Sequence, residues 1–123
     1  MNDTIKVSVK TQYIAEQSDL EKQQYVYAYT INIENRGAQD TQLISRHWQI
    51  IDANSFEQEV KGMGVVGQQP IIKPGQIYTY TSGVIMQTSS GTMQGNYTMR
   101  TDDGAEFTAE IPTFSLVQPQ ALH

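Results

Sequence analysis

Residues 25–34 read Tyr-Val-Tyr-Ala-Tyr-Thr-Ile-Asn-Ile-Glu, so Tyr25, Tyr27, Tyr29, Ile31 and Ile33 occupy every second position with Val26, Ala28, Thr30, Asn32 and Glu34 between them. Only an extended strand, whose successive side chains point to opposite faces, gathers that spacing into one face. Such a strand is useless alone, because a row of tyrosines and isoleucines needs a second layer to cover it. The run stops at Asn35-Arg36-Gly37, a turn signal. Residue usage extends the argument to the whole chain: Val, Ile and Thr supply 32 of its 123 residues and Leu and Ala only 11, a balance that favours strands over helices.

Further strands follow from the same reasoning. Ile5, Val7 and Val9 alternate with Lys6, Ser8 and Lys10, and a charged, solvated connection (16–22), with at most one helical turn near 18–23, leads to the long strand. A third strand is predicted over 41–51, with Ile44, Trp48 and Ile50 on one face and Leu43 and Ile51 on the other, closed by Asp52-Ala53-Asn54. A fourth, 56–61, carries alternating Glu57 and Glu59 and reads as an edge. Pro74-Gly75 launches a fifth at 76–82, a Ser/Thr/Gly loop follows, and a sixth at 93–101 turns at Asp102-Asp103-Gly104 into a seventh at 105–111. About seven short antiparallel strands suit an all-β, immunoglobulin or fibronectin type III-like sandwich, one domain over 1–123 with a loose tail after about 117 that includes Pro119. In that architecture Trp48 is the buried aromatic of the third strand, and Tyr97 takes the place of a corner tyrosine whose hydroxyl bonds backbone upstream.

Composition removes several functional classes. There is no cysteine, hence no disulfide, thiolate metal site or cysteine nucleophile, and a net charge of -5 with a pI near 4.8 argues against nucleic acid or an anionic membrane surface as partner. Asp3, Lys6 and Lys10 interrupt any export signal, which points to the cytosol. Residues 74–99 hold no charge and exceed the roughly 20 residues a span needs, but their many Ser, Thr, Gln and Gly residues exclude insertion into a bilayer.

Two motifs stand out. Gly62-Met63-Gly64-Val65-Val66-Gly67 matches G-x-G-x-x-G, yet a dinucleotide fingerprint also needs a following helix and an acidic residue about 20 positions on. Proline-bounded sequence follows instead, and the region near Gln87 is uncharged. Two readings remain for the loop: backbone amides cradling an anion with Lys61 and Lys73 nearby, or glycines that supply positive φ and close approach while Val65 and Val66 anchor a long loop. The second motif, Arg46-His47-Trp48, places Arg46 and Trp48 on one strand face, as a cation along an aromatic or a core indole with a snorkelling neighbour, and His47 on the other. Ser45 beside Arg46-His47 is the one local nucleophile candidate, and adjacent strand residues facing apart count against a dyad. Asp102, Asp103 and Glu106 are turn residues that offer only weak, exposed Mg²⁺ or Co²⁺ binding.

Several blocks in order across nearly the whole chain, namely Ser45-Arg46-His47-Trp48, the Gly62 to Pro70 run, Pro74-Gly75, Tyr80-Thr81-Ser82-Gly83, Met93-Gln94-Gly95-Asn96-Tyr97 and Ile111-Pro112-Thr113-Phe114-Ser115-Leu116, resemble the bacterial ApaG family, also called CorD. The resemblance implies a fibronectin type III-like sandwich, an association with cobalt resistance and cobalt and magnesium efflux, and a gene neighbourhood shared with diadenosine tetraphosphate hydrolase. A related domain in eukaryotic F-box proteins and in a polymerase-interacting protein implies the holding of a protein partner. It brings no catalytic residues. The expectation is therefore a non-catalytic cytosolic domain without a resident cofactor, acting through an unidentified protein partner, with exposed edges that leave a homodimer open. Gly62, Gly64, Gly67, Lys61 and Lys73 form the candidate anion- or partner-binding loop, and Arg46, His47 and Trp48 the candidate surface cluster. The alternative is a small-ligand sensor taking a (di)nucleotide polyphosphate or a divalent cation at the 62–67 loop.

Overall fold

In the computed structural model, which describes residues 4–118, the alternating segment forms β2 (Tyr25–Asn35), and Tyr27, Tyr29, Ile31 and Ile33 are all buried along its inner face. β2 pairs on one side with β1 (Ile5–Tyr13) and on the other with β6 (Ile77–Met86), giving a three-stranded antiparallel sheet. The second sheet has the order β4-β3-β7-β8, from β4 (Glu57–Met63), β3 (Thr41–Asp52), β7 (Ser90–Thr101) and β8 (Glu106–Val117). A two-residue strand, β5 (Ile71–Ile72), pairs with the start of β3. It is absent from the sequence expectation because two residues carry no period. The tail expected after about 117 lies almost entirely outside the described residues.

The layers meet over a core in which Trp48 is 2% exposed. Its indole stands edge-on to Tyr29, Phe114 and Tyr97, with ring centroids 5.4, 5.9 and 6.4 Å away. Each such pair adds about 0.5–1.5 kcal/mol beyond simple burial. β1 packs near β8 at one side of the sandwich, so β6 and β4, the outermost strands of their sheets, are left at the other side.

Five local expectations need correction. Leu43 does not face outward: a β-bulge between Leu43 and Ser45 places two consecutive residues of β3 against one of β7, and Leu43 and Ile44 both turn into the core. The presumed Ser/Thr/Gly loop is mostly strand, since β6 continues to Met86 and β7 begins at Ser90, leaving only 87–89 as a turn. β8 continues past Ile111 through Pro112, because a second bulge opposite Gln94 falls there and β8 is an edge that needs no donor from that residue. Among the described residues Tyr97 makes no corner bond to backbone. It lies mid-strand, facing the other sheet, and its hydroxyl meets that of Tyr80 at 2.5 Å. The hydroxyl-to-backbone bond belongs to Tyr27, which donates to the Ser89 carbonyl at 2.5 Å. The one helical turn among the described residues is a 3-10 turn at Ala15–Gln17, just upstream of where it was expected.

Candidate functional site

Alternation along β3 divides its central motif as expected: Arg46 and Trp48 face inward and His47 outward. In the ladder Arg46 stands beside Gly62 of β4 and Tyr97 of β7, and Trp48 beside Val60 and Gly95. Because Gly62 has no side chain, the Arg46 guanidinium lies across it, and a Cβ built at Gly62 would sit 2.8–2.9 Å from the guanidinium atoms. The arginine thus covers core with its stem and reaches the sandwich edge with its head. There Nη1 donates to the carbonyls of Gly64 (2.8 Å) and Met63 (3.2 Å).

Beyond β4 the chain makes a tight hairpin. Val65 and Gln68 exchange two backbone bonds of 2.8 and 2.9 Å, and Val66 and Gly67 between them have φ of 48° and 78°, the signature of a type I′ turn. Gly64 has φ 65°, and a Cβ there would approach the Gln68 carbonyl oxygen to 2.2 Å. Val65 is fully buried and anchors the turn, whereas Val66 is 64% exposed. The amides of Gly64, Val65 and Gln68 are all taken by backbone carbonyls. Lys61 lies on the outer face of β4 opposite His47, and Lys73 sits in the separate turn before β6, its amide bonded to the Gln76 side chain. The structure therefore joins Arg46, Gly62 and Gly64 on the inner side, places His47 and Lys61 on the outer face of the same strands, where one hollow also touches Arg46 and Gly62, and leaves Lys73 in a separate turn.

On the outer face His47 Nε2 bonds Glu59 at 2.8 Å. That hydrogen bond, then the charge of Lys61, holds the Glu59 carboxyl below its ordinary range. Ser45 and His47 are two residues apart and share this face, lining one shallow hollow, which corrects the sequence argument that they face apart. The imidazole is engaged by Glu59, and no Ser45–His47 bond is present among the described residues. Around the Asp-Asp-Gly hairpin, Asp103 accepts from the Thr101 hydroxyl and the Ala105 amide, which lower its pKa in that order, and Glu106 is gripped by Arg100. Among the described residues no three His, Cys, Asp or Glu side chains converge as a metal-binding group, and no helix is long and apolar enough to cross a membrane.

Between the free edges of β4 and β6 lies a groove of two lobes. One, of about 630 Å³, has Val60 and Gln58 on one bank and Gly83, Val84 and Ile85 on the other. The second, of about 330 Å³, runs under the hairpin past Met63 and Val66 to Tyr80. Tyr29, Arg46, Trp48 and Ser82 line both. Sequence reasoning found Arg46 and Trp48 here but not the β6 bank. Its one available signal was the predicted β4 edge, whose alternation with Glu57 and Glu59 turns Val60 inward.

Two antiparallel sheets of this order, with the fourth strand beside the third and an aromatic at the centre of the third, define a fibronectin type III-like β-sandwich. Within that class the chain belongs to the ApaG domain family, whose model matches residues 15–101. It is 56% identical over 119 residues to Protein ApaG of Thiobacillus denitrificans, covering 97% of this chain and 94% of that one. Protein ApaG of Dechloromonas aromatica is 51% identical over 127 residues, with both chains covered fully. The crystal structure of a Bordetella pertussis protein described as ApaA superposes with a TM-score of 0.91 at 47% identity, covering 94% of each chain. An Archaeoglobus fulgidus protein, 13% identical with a TM-score of 0.52 over 87% of this chain and 94% of its own, shares the fold alone.

Proposed function

We propose that this chain is a non-catalytic docking module that works in the cytosol, binding a protein partner in the groove between β4 and β6 and influencing divalent-cation efflux through that partner. The observation that carries the reading is the groove itself. Two unpaired strand edges flank it, and Val60, Met63, Val66 and Ile85 remain 37%, 68%, 64% and 58% exposed along its rims. Exposed apolar side chains gathered beside free backbone donors and acceptors are the equipment of strand addition. The cation link rests on the family alone, and a partner is the economical route to it, because the Asp103 and Glu106 carboxylates at the hairpin are already bonded to Thr101, Ala105 and Arg100, and no three His, Asp or Glu side chains converge among the described residues.

The test is complementation. In cells lacking the gene and sensitised to cobalt, the wild-type chain restores tolerance, while Ile85→Lys and Val60→Lys, which place charges on the groove rims, do not, although each variant melts at the wild-type temperature. Restoration by both folded variants refutes the groove as the working surface.

A further inference from the structure

Arg46 occupies an electrostatically odd position. It is half-buried at the junction of the two lobes, and the residues lining both include no Asp or Glu, although the chain carries 13 carboxylate side chains and a net charge of -5. The salt bridges among the described residues involve Arg36, His47 and Arg100, not Arg46. Its Nη1 is spent on two carbonyls, while Nε and Nη2 make no hydrogen bond among the described residues. They are open to solvent, since no buried side-chain nitrogen or oxygen lacks a partner. These two donors lie on the same side of the guanidinium and form the fork that grips a carboxylate side-on. The same chain uses that fork elsewhere: Arg100 holds Glu106 through Nε at 3.0 Å and Nη2 at 2.6 Å.

A docked strand presents side chains to the groove at every second position, about 6.6 Å apart at the usual strand rise. A carboxylate placed on Arg46 therefore sets its i−2 and i+2 neighbours over the lobes on either side. One lobe offers Val60, Val84 and Ile85, and the other Met63 and Val66.

Resting on the docking reading above, we propose that the groove recognises an extended acidic peptide of the pattern apolar-x-Asp/Glu-x-apolar, added along the free edge of β6 with its carboxylate on the Nε–Nη2 fork of Arg46. A polyphosphate fits less well. One arginine would face several charges, and the hairpin amides of Gly64, Val65 and Gln68 are committed to carbonyls.

The experiment is an amide and arginine-Nε NMR titration of the full chain with a capped peptide, Lys-Val-Thr-Asp-Thr-Val-Lys, and with the same peptide carrying Asn for Asp. The Asp peptide shifts Arg46 Nε and the amides of Gly62 and of 81–85, and binds about tenfold or more tightly than the Asn peptide, as expected for a charge-assisted bidentate pair. Because that comparison alters only the peptide, misfolding of a variant cannot imitate it. Arg46→Lys, which keeps the charge and loses the fork, removes most of the preference. Equal affinity of the two peptides, absence of shifts from the Asp peptide at millimolar concentration, or displacement of it by equimolar pyrophosphate overturns the proposal; so does self-association of the chain through these same residues in place of peptide binding. The docking reading fails separately. If Arg46→Gln restores cobalt tolerance and Ile85→Lys does not, the groove is right and the acidic anchor wrong.

Discussion

Gly64→Ala and Gly67→Ala separate a structural role of the glycine motif from a ligand-binding one, because the two positions share positive φ and differ in surroundings. At both, an L-residue in the left-handed region costs about 1–2 kcal/mol. At Gly67 nothing lies within 4 Å of the new Cβ, so the cost ends there. At Gly64 the Cβ would stand 2.2 Å from the Gln68 carbonyl oxygen, which is itself bonded to the Val65 amide. Relief requires that carbonyl to move by about an ångström, which breaks the two bonds closing the hairpin at about 1 kcal/mol each. Gly64→Ala is therefore expected to cost about 3–4 kcal/mol against about 1–2 for Gly67→Ala. Urea unfolding followed by the fluorescence of Trp48 reads the difference. With a slope near 2 kcal/mol per molar, the midpoints separate by about 1 M. Midpoints that coincide within about 0.3 M would refute the claim that the hairpin, rather than a ligand, sets the need for glycine.

The buried hydroxyl pair makes stability depend on alkaline pH. Burial, above all, raises both Tyr80 and Tyr97 well above the ordinary tyrosine value of 10.0. Below pH 10 both states keep their protons and the contribution is whole; above it the unfolded chain releases two that the folded pair retains, and the pair's contribution falls by about 2.7 kcal/mol per pH unit, with the raised Tyr27 adding to the decline. Urea midpoints between pH 9 and 11 check this, and the Tyr80→Phe/Tyr97→Phe chain shows a shallower decline. At neutral pH that double variant is nearly neutral, whereas Tyr97→Phe alone costs about 1–3 kcal/mol by leaving the Tyr80 hydroxyl without its partner. Tyr27→Phe costs about 1–2 kcal/mol by calorimetry, since the Ser89 carbonyl loses its donor; burial pushes the Tyr27 hydroxyl up to about 12, so its absorbance change is expected only in strongly alkaline solution. His47→Ala leaves the melting temperature unchanged, because its pair with Glu59 is exposed, and a carbon-detected titration finds the Glu59 carboxyl moved back up toward the ordinary range.

Much of the molecule is legible in the order of its residues, and the limits have identifiable causes. β2 was readable from five alternating side chains, and the inward Trp48 and outward His47 followed from parity. Parity then failed at Leu43, because a bulge adds one residue and reverses the phase. It could not foresee that Tyr97 meets Tyr80, since they lie 17 residues apart on different sheets. The flanks of the G-x-G-x-x-G run carry no helix signal, and the run folds as the end of β4 and a type I′ hairpin. The three separate reasons for its glycines came only from their neighbours: Arg46 across Gly62, the Gln68 carbonyl beside Gly64, and open space with positive φ at Gly67.

By itself the sequence determined an all-β chain, most of its strands, turns and inward faces, and its family, because period and turn chemistry are local properties and motif order is written along the chain. Which edges remain unpaired, that β4 and β6 flank one groove, and that Arg46 reaches it without a carboxylate partner were decided only by the tertiary structure. Those facts depend on how two sheets are laid over one another, and on distances between residues that no local rule relates.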